Sequence, residues 1–336
     1  MTDAATSTVP ARTHPAHHTG VAMSAPTTSA RTASAPNTSQ GSTSREGGIP
    51  EDRADHGRLL IQCPDRPGVV SAVSTFLAEA GANITSLDQF STTAVGGTFF
   101  QRTGFHLPGL SASRDELDRA FETGVAQRWG MTHRLTEAAR PKRVAIMVSK
   151  TDHCVLDLLW RHRRGQLDMN VVMVVSNHPD LADEVRPFGV PYIHVPATRD
   201  NRAEAESRIL DLLRGNVDLV VLARYMQIIT PSFLEAVGCP LINIHHSFLP
   251  AFIGAGPYQK AKDRGVKLVG ATAHYVTADL DEGPIIDQDV VRVDHRHTTA
   301  DLVRLGADVE RDVLSRAVRA HLEDRLAVHG NSTIVF

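Results

Sequence analysis

Between residues 59 and 135 the chain alternates short apolar runs with stretches of helical spacing. Residues 59–63, Leu-Leu-Ile-Gln-Cys, stop at Pro64-Asp65-Arg66-Pro67-Gly68, a dense turn signal. Residues 69–80 place apolar side chains at helical intervals and meet Gly81, which predicts a helix and its stop. Strands are predicted at 83–90 and, after the Gly96-Gly97 turn, at 97–106. A second helix is predicted at 113–129 and a closing strand at 131–135. The order βαββαβ is that of the split βαβ, ferredoxin-like unit.

After residue 143 the pattern changes. Short β-branched runs at 144–148, 171–176, 192–195, 219–223 and 241–245 alternate with helical stretches at 153–163, 181–188, 202–213 and 231–237. Strands that are apolar on both faces, alternating with helices, predict a mostly parallel sheet covered on both sides. Extended stretches at 269–276 and 285–293 and a long helix at 299–329 complete the expectation. The fold class is therefore α/β: a ferredoxin-like unit, then a Rossmann-like one. The expected boundaries are a disordered tail at 1–55, a first domain at 56–137, a linker at 138–142 and a second domain at 143–336. The tail is Thr-, Ser-, Ala- and Pro-rich and nearly lacks large apolar residues, so it cannot offset its ordering entropy.

Composition narrows the partners. The formal net charge of −3 gives no global attraction to nucleic acid or to an anionic membrane. No apolar run approaches the ~20 residues of a membrane span, and the N-terminus lacks the apolar stretch of a secretory signal. Cys63, Cys154 and Cys239 are scattered and form no disulfide framework or C-x-x-C pair. The expected location is the cytoplasm.

The candidate chemistry lies between residues 241 and 283. In Leu241-Ile242-Asn243-Ile244-His245 the two polar residues are two apart on a strand and share one face. They stand near the carboxyl end of a predicted parallel strand, where open α/β sheets bind ligands. Satisfying buried backbone groups is the plain alternative. Asp281, in Leu280-Asp281-Glu282-Gly283-Pro284, could be no more than a solvated turn residue. His274, in an apolar strand, could be an ordinary core histidine.

Taken together, Asn-Ile-His, Ser247-Phe248-Leu249-Pro250, Gly270-x-Thr272-x-His274-Tyr275-Val276 and Leu280-Asp281-Glu282-Gly283-Pro284-Ile285-Ile286 resemble the folate-dependent formyltransferase fold. The resemblance runs from about residue 143 to the C-terminus. It implies Asn243, His245 and Asp281 as the catalytic trio, with His274 near the same site. It also implies that the loop in Leu222-Ala223-Arg224-Tyr225-Met226-Gln227-Ile228-Ile229 holds a pterin ring, with Met226, Gln227 and Ile228 as substrate-binding candidates. Attack on a folate-borne formamide develops a negative oxygen. Asn243 can donate to that oxygen, His245 can stabilise it or move protons, and Asp281 can order water or favour a charged His245. The division of these roles stays open.

The acceptor of the formyl group divides this family. A phosphate-bearing acceptor calls for a glycine-rich turn after the first strand. Here that turn is Val148-Ser149-Lys150-Thr151-Asp152-His153-Cys154, with no glycine and with an added negative charge. A structural role, Ser149 or Thr151 capping the next helix, is the alternative. The Ser-Lys-Thr-Asp-His-Cys turn, the doublet His245-His246 and Phe252-Ile253-Gly254-Ala255 before Pro257-Tyr258 resemble the deformylase branch; Gly256 departs from it. Asp65-Arg66-Pro67-Gly68-Val69-Val70 and Gly81-Ala82-Asn83-Ile84 resemble an ACT domain. ACT followed by this fold is the arrangement of that branch.

The resemblance thus implies hydrolysis of 10-formyltetrahydrofolate to tetrahydrofolate and formate, balancing one-carbon folates for purine synthesis. Formyl transfer to an amine and a non-catalytic, folate-binding amino-acid sensor are the rivals. No bound cofactor is implied; folate is the substrate. Metal ligands are not expected, since His295 and His297 find no third partner at a defensible spacing. ACT modules usually pair and often bind amino acids, so the resemblance implies a homo-oligomer and leaves room for an amino-acid effector. Gly68 and Asn83 fall at effector positions, which a turn and a helix exit explain equally well.

Overall fold

The computed structural model describes residues 53–198, 200–250 and 256–336. All but three residues of the tail expected at 1–55 lie outside the described residues, as do Phe252, Ile253, Gly254 and Ala255.

The N-terminal part comprises β1 (His56–Pro64), α1 (Val69–Glu79), β2 (Asn83–Ser91), β3 (Thr98–His106), α2 (Leu110–Phe121), α3 (Gln127–Trp129) and β4 (Thr132–Glu137). Its strands are antiparallel in the order β2-β3-β1-β4. Period-2 alternation sends Leu59, Ile61 and Cys63 of β1 into one core with Val73 and Leu77 of α1 and Leu117 and Phe121 of α2. The second helix begins at Leu110, three residues earlier than the spacing predicts, because Leu110 itself fills this core. A π-helical turn at Glu122–Ala126 then separates α2 from α3.

The second part comprises β5 (Lys142–Val148), α4 (His153–Arg163), β6 (Met169–Ser176), α5 (Ala182–Val185), β7 (Tyr192–His194), α6 (Arg202–Leu213), β8 (Leu219–Leu222) and α7 (Pro231–Val237). It continues with β9 (Leu241–His245), α8 (Pro257–Arg264), β10 (Leu268–Tyr275), β11 (Ile285–Arg292), α9 (Thr299–Leu322), β12 (Leu326–His329) and β13 (Ser332–Val335). Its strands form one sheet in the order β12-β13-β11-β10-β9-β8-β5-β6-β7. The run β9-β8-β5-β6-β7 is parallel, and β10 and β11 are antiparallel additions. The chain leaves β5 toward β6 on one side and returns as β8 on the other. Ligands of such sheets bind at the strands' carboxyl ends beside this reversal. Val144, Ile146 and Val148 pack under α4 and α9, while Ala145 and Met147 pack under α6 and α7. Both faces of β5 are thus apolar, as the sequence pattern requires.

Two expectations are corrected. α8 was not foreseen: it is short and charged, and of its described side chains only Tyr258 and Ala261 are buried. The helix expected at 299–329 ends at Leu322, and its last residues form the hairpin β12–β13 instead. Asp324 turns the chain with a left-handed φ of 52°. Its buried carboxylate accepts from Lys142 Nζ (2.7 Å), Thr136 Oγ1 (2.8 Å) and Arg58 Nη1 (3.2 Å), with Arg134 Nη2 at 3.3 Å. Arg102 donates to the carbonyls of Glu323 and Asp324. The face of the N-terminal sheet turned away from its helices therefore rests on the end of α9. Phe100 of β3 meets His329 of β12 edge to face.

Cys63 and Cys154 are buried and Cys239 is half-buried, and all three are free thiols. Burial pushes each thiol up, Cys239 to about 11, which leaves them unreactive. No helix among the described residues is long and apolar enough to cross a membrane.

Candidate active site

β9 brings the first two residues together. Asn243 and His245 point to the same face, and the antiparallel register sets Asn243 opposite His274 and His245 opposite Thr272. Directly opposed residues share a face, so Asn243 Nδ2 lies 3.3 Å from His274 Nε2. The Nδ1 of His274 is 2.9 Å from the carbonyl of Tyr275. A carbonyl only accepts, so Nδ1 carries a proton. The Nε2 of His274 then accepts from Asn243 when neutral or donates to Asp281, 3.5 Å away, when charged.

Asp281 arrives on the loop between β10 and β11. Its backbone is left-handed, at φ 58°. The loop returns against β10 through Tyr275 N–H donating to Pro284 O at 2.9 Å. A Cβ on Gly283 would strike the Tyr275 carbonyl, so only glycine permits this approach. Asp281 Oδ2 then lies 3.2 Å from His245 Nδ1. Hydrogen bonds from His245, then from His274, hold the Asp281 carboxyl well below the usual carboxylate range against the opposing effect of burial. The other ring nitrogen of His245, Nε2, is buried with no hydrogen-bond partner.

These residues line a cavity of 460 Å³ whose opposite wall is the loop after β8. Met226, Gln227 and Ile228 all line it, and Met226 and Ile228 are each 58% exposed, an unusual state for large apolar side chains. Ser149 anchors this loop. Its hydroxyl donates to Asn177 Oδ1 (2.7 Å) and accepts from Met226 N–H (2.9 Å). The helix-capping role weighed for Ser149 and Thr151 is thereby corrected: α4 starts at an Asp152 N-cap with no side-chain capping bond. Thr272 supports the other side, donating to Ser247 O and accepting from Leu249 N–H and Gln288 Nε2.

All seven residues singled out from sequence line this one cavity. Sequence reasoning missed what lies behind it. Buried Glu310 of α9 accepts from His153 Nε2 and the Tyr258 hydroxyl, each at 2.8 Å, and pairs with Arg224 at 3.5 Å. Burial pushes the Glu310 carboxyl up, but the His153 hydrogen bond and the Arg224 charge outweigh it. Gly306, one turn earlier on α9, leaves room for the Tyr258 ring, which a Cβ would meet. His246 is pushed down to about 4, first by burial and then by Arg224. A charged side chain within an apolar stretch, Arg224, is the signal the sequence carries for it. His153, Cys154 and Glu310 offer ligand atoms within 4.8 Å of one another, but Arg224 and His153 already engage the carboxylate. His297 bonds Asp294 within its own turn. Gly68 takes φ 97° at the start of α1, and Asn83 begins β2 exposed to solvent.

The family models agree with this layout. Residues 142–318 match the formyl transferase model and residues 57–110 match the ACT domain model. The formyltetrahydrofolate deformylase of Mycobacterium bovis is 72% identical over 283 residues, spanning 84% of this chain and 91% of its own. The chain belongs to the formyltetrahydrofolate deformylase family. The crystal structure of a formyltetrahydrofolate deformylase from Pseudomonas syringae matches with a TM-score of 0.79 at 47% identity, covering 84% of this chain and 94% of that one. A glycinamide ribonucleotide transformylase from Symbiobacterium toebii matches 58% of this chain and 94% of its own, with a TM-score of 0.55 at 32% identity. Likeness to the deformylase family thus extends over more of the chain than likeness to this transformylase.

Proposed function

We propose that the protein hydrolyses 10-formyltetrahydrofolate to tetrahydrofolate and formate, with Asn243, His245 and Asp281 as its catalytic residues. The observation that carries this reading is His245, which lines the cavity with Asn243: Asp281 holds its Nδ1 at 3.2 Å, and its Nε2 is buried with no hydrogen-bond partner. The Asp281 contact selects the tautomer in which neutral Nε2 can accept a proton from attacking water. The water oxygen bonds to the formyl carbon, and the carbonyl oxygen takes the negative charge, facing a donor from Asn243 Nδ2. Collapse breaks the C–N10 bond. The proton on His245 passes to N10, and the remaining acid proton leaves with solvent, giving the amine and formate. His274 braces Asn243 when its Nε2 accepts and Asp281 when its Nε2 donates. The pterin lies against Met226, Gln227 and Ile228; the exposed apolar side chains of Met226 and Ile228 suit a flat ring. The formate released is then available to purine synthesis.

The test is formate release by pure protein from 10-formyltetrahydrofolate with no amine present. Stoichiometric formate and tetrahydrofolate are expected. Absence of formate without an amine, and formyl-amine product on adding one, would remove the hydrolytic reading.

The same proposal includes a homo-oligomer with an amino-acid effector. β2 is one of the two edge strands of the N-terminal sheet, with Leu87 and Phe90 exposed on it. An unpaired edge with apolar side chains favours pairing with a second copy. Sedimentation equilibrium with and without added amino acids is expected to give an oligomer that Leu87→Glu with Phe90→Glu dissociates; a wild-type monomer under all conditions counts against it.

A further inference from the structure

Met226 and Ile228 are each 58% exposed, although folding usually takes large apolar side chains out of water. They stand on the loop joining β8 to α7, which has no regular secondary structure from Ala223 to Thr230. A loop free to move would turn such side chains inward. This one is gripped by its backbone on both sides of Gln227, which leaves those side chains facing the cavity.

The first grip comes from the carboxyl ends of the parallel strands. Ser149 directly follows β5, the neighbour of both β6 and β8, and is buried. Its backbone N–H donates to Arg224 O at 3.2 Å, and its hydroxyl accepts from Met226 N–H at 2.9 Å. The hydroxyl proton goes to Oδ1 of Asn177, 2.7 Å away, directly after β6 and itself buried. Asn177 thus fixes the direction of the hydroxyl and leaves its lone pairs for Met226. The second grip comes from α6. Arg202 Nη2 donates to Ile228 O. Glu206, one turn further on, accepts from Thr230 N–H at 3.3 Å and from the Thr230 hydroxyl at 2.6 Å, with Arg202 Nε 3.5 Å away. None of these bonds is used by the chemistry at His245.

We propose that Ser149 and Arg202 are positioning residues for the substrate. They hold the loop after β8 as a preformed seat, so that the pterin meets Met226 and Ile228 without the cost of ordering the loop. This inference rests on the reading that seats the ring there. A purely structural role, in which the same bonds only join β5, β6, β8 and α6, is the competing account. The two accounts differ in kinetics. The ring takes no part in the bond that breaks, so its seat holds substrate and transition state alike. Loosening the seat therefore raises KM and leaves kcat, whereas a structural role moves stability alone.

The experiment compares wild type, Ser149→Ala and Arg202→Met as full chains. Steady-state formate release gives KM and kcat, and the thermal transition reports folding. Titration calorimetry with 6-methyltetrahydropterin gives the affinity for the ring alone, whether or not formate is released. Ser149→Ala removes the partner of both Met226 N–H and Asn177 Oδ1, and KM and the ring's dissociation constant are expected to rise about tenfold. Arg202→Met is expected to raise both about threefold, with kcat within about twofold of wild type in both variants. The Arg202 side chain is 42% exposed, so R202M carries the test where S149A does not fold. Unchanged KM and ring affinity in every variant that folds overturn the proposal, as does a fall in kcat with KM unmoved. Ile228→Ala separates this failure from failure of the seat. Ring affinity lost in I228A but kept in S149A and R202M removes the positioning role alone. Ring affinity lost in S149A and R202M but kept in I228A supports the positioning role and removes Ile228 from the seat.

Discussion

His245→Gln lowers kcat for formate release on the order of 10²–10⁴-fold, the range expected when a positioned acid–base group is lost. Asp281→Asn falls in the same range, because an amide can donate to Nδ1 and so favour the unproductive tautomer. Asn243→Ala costs about 10²–10³-fold if its side chain is the donor to the developing oxyanion. KM for 10-formyltetrahydrofolate should change far less than kcat in all three, since the proposed seat of the ring is across the cavity at Met226, Gln227 and Ile228. Steady-state formate release with purified variants measures both constants. Rates within tenfold of wild type for both His245→Gln and Asp281→Asn would refute the assignment. With Asp281 held well below the usual carboxylate range, no acid limb above pH 4 should arise from its protonation.

Asp324→Ala destabilises the fold by about 3–5 kcal/mol, the cost of removing one partner from a buried charge cluster. Lys142, Arg58, Arg134 and Thr136 would lose their shared acceptor. Asp324→Asn separates two causes. Asparagine tolerates the left-handed backbone that alanine resists, so any loss it shares with alanine belongs to the charge. Urea unfolding of wild type and both variants reads this directly; a midpoint unchanged in Asp324→Ala would show that the cluster contributes nothing net.

His321 adds a pH dependence to the same region. It is buried, its Nδ1 lies 2.8 Å from the Tyr275 hydroxyl, and burial, then Lys142 and Arg134, push it down to about 3. Between its ordinary value of 6.5 and about 3, the unfolded chain takes a proton that the folded chain refuses. Stability is therefore full above pH 6.5 and falls on acidification, by about 1.4 kcal/mol per pH unit for this group. His246 adds the same sign down to about 4. Unfolding at pH 7 and pH 5 should show the loss, and His321→Gln should lessen it.

The trio was unevenly legible. Asn243 and His245 share a face by strand periodicity alone, so their pairing was readable from two positions. His274 and Asp281 lie 31 and 38 residues beyond Asn243 and could be joined to it only through the motif order. The distances that make them one site depend on the antiparallel register of β9 and β10 and on a loop that Gly283 allows to close. Arg224 and Glu310 are 86 residues apart and carry no periodic signal. Their meeting is a consequence of α9 packing against the sheet.

The chain by itself determined the alternation of strands and helices, the two-sided apolar character of β5, and the placing of Asn243 and His245 on one face. Those features follow from local periodicity, which needs no distant partner. Tertiary structure decided where α9 stops. The helical pattern expected to run through residue 329 gives way after Leu322 because the Asp324 carboxylate is drawn to Lys142, Thr136 and Arg58, and the chain then turns into the hairpin β12–β13. Tertiary structure also decided the state of His245. A histidine on a strand end has no fixed tautomer of its own; the Asp281 carboxylate, which can only accept and lies 3.2 Å from Nδ1, gives it one.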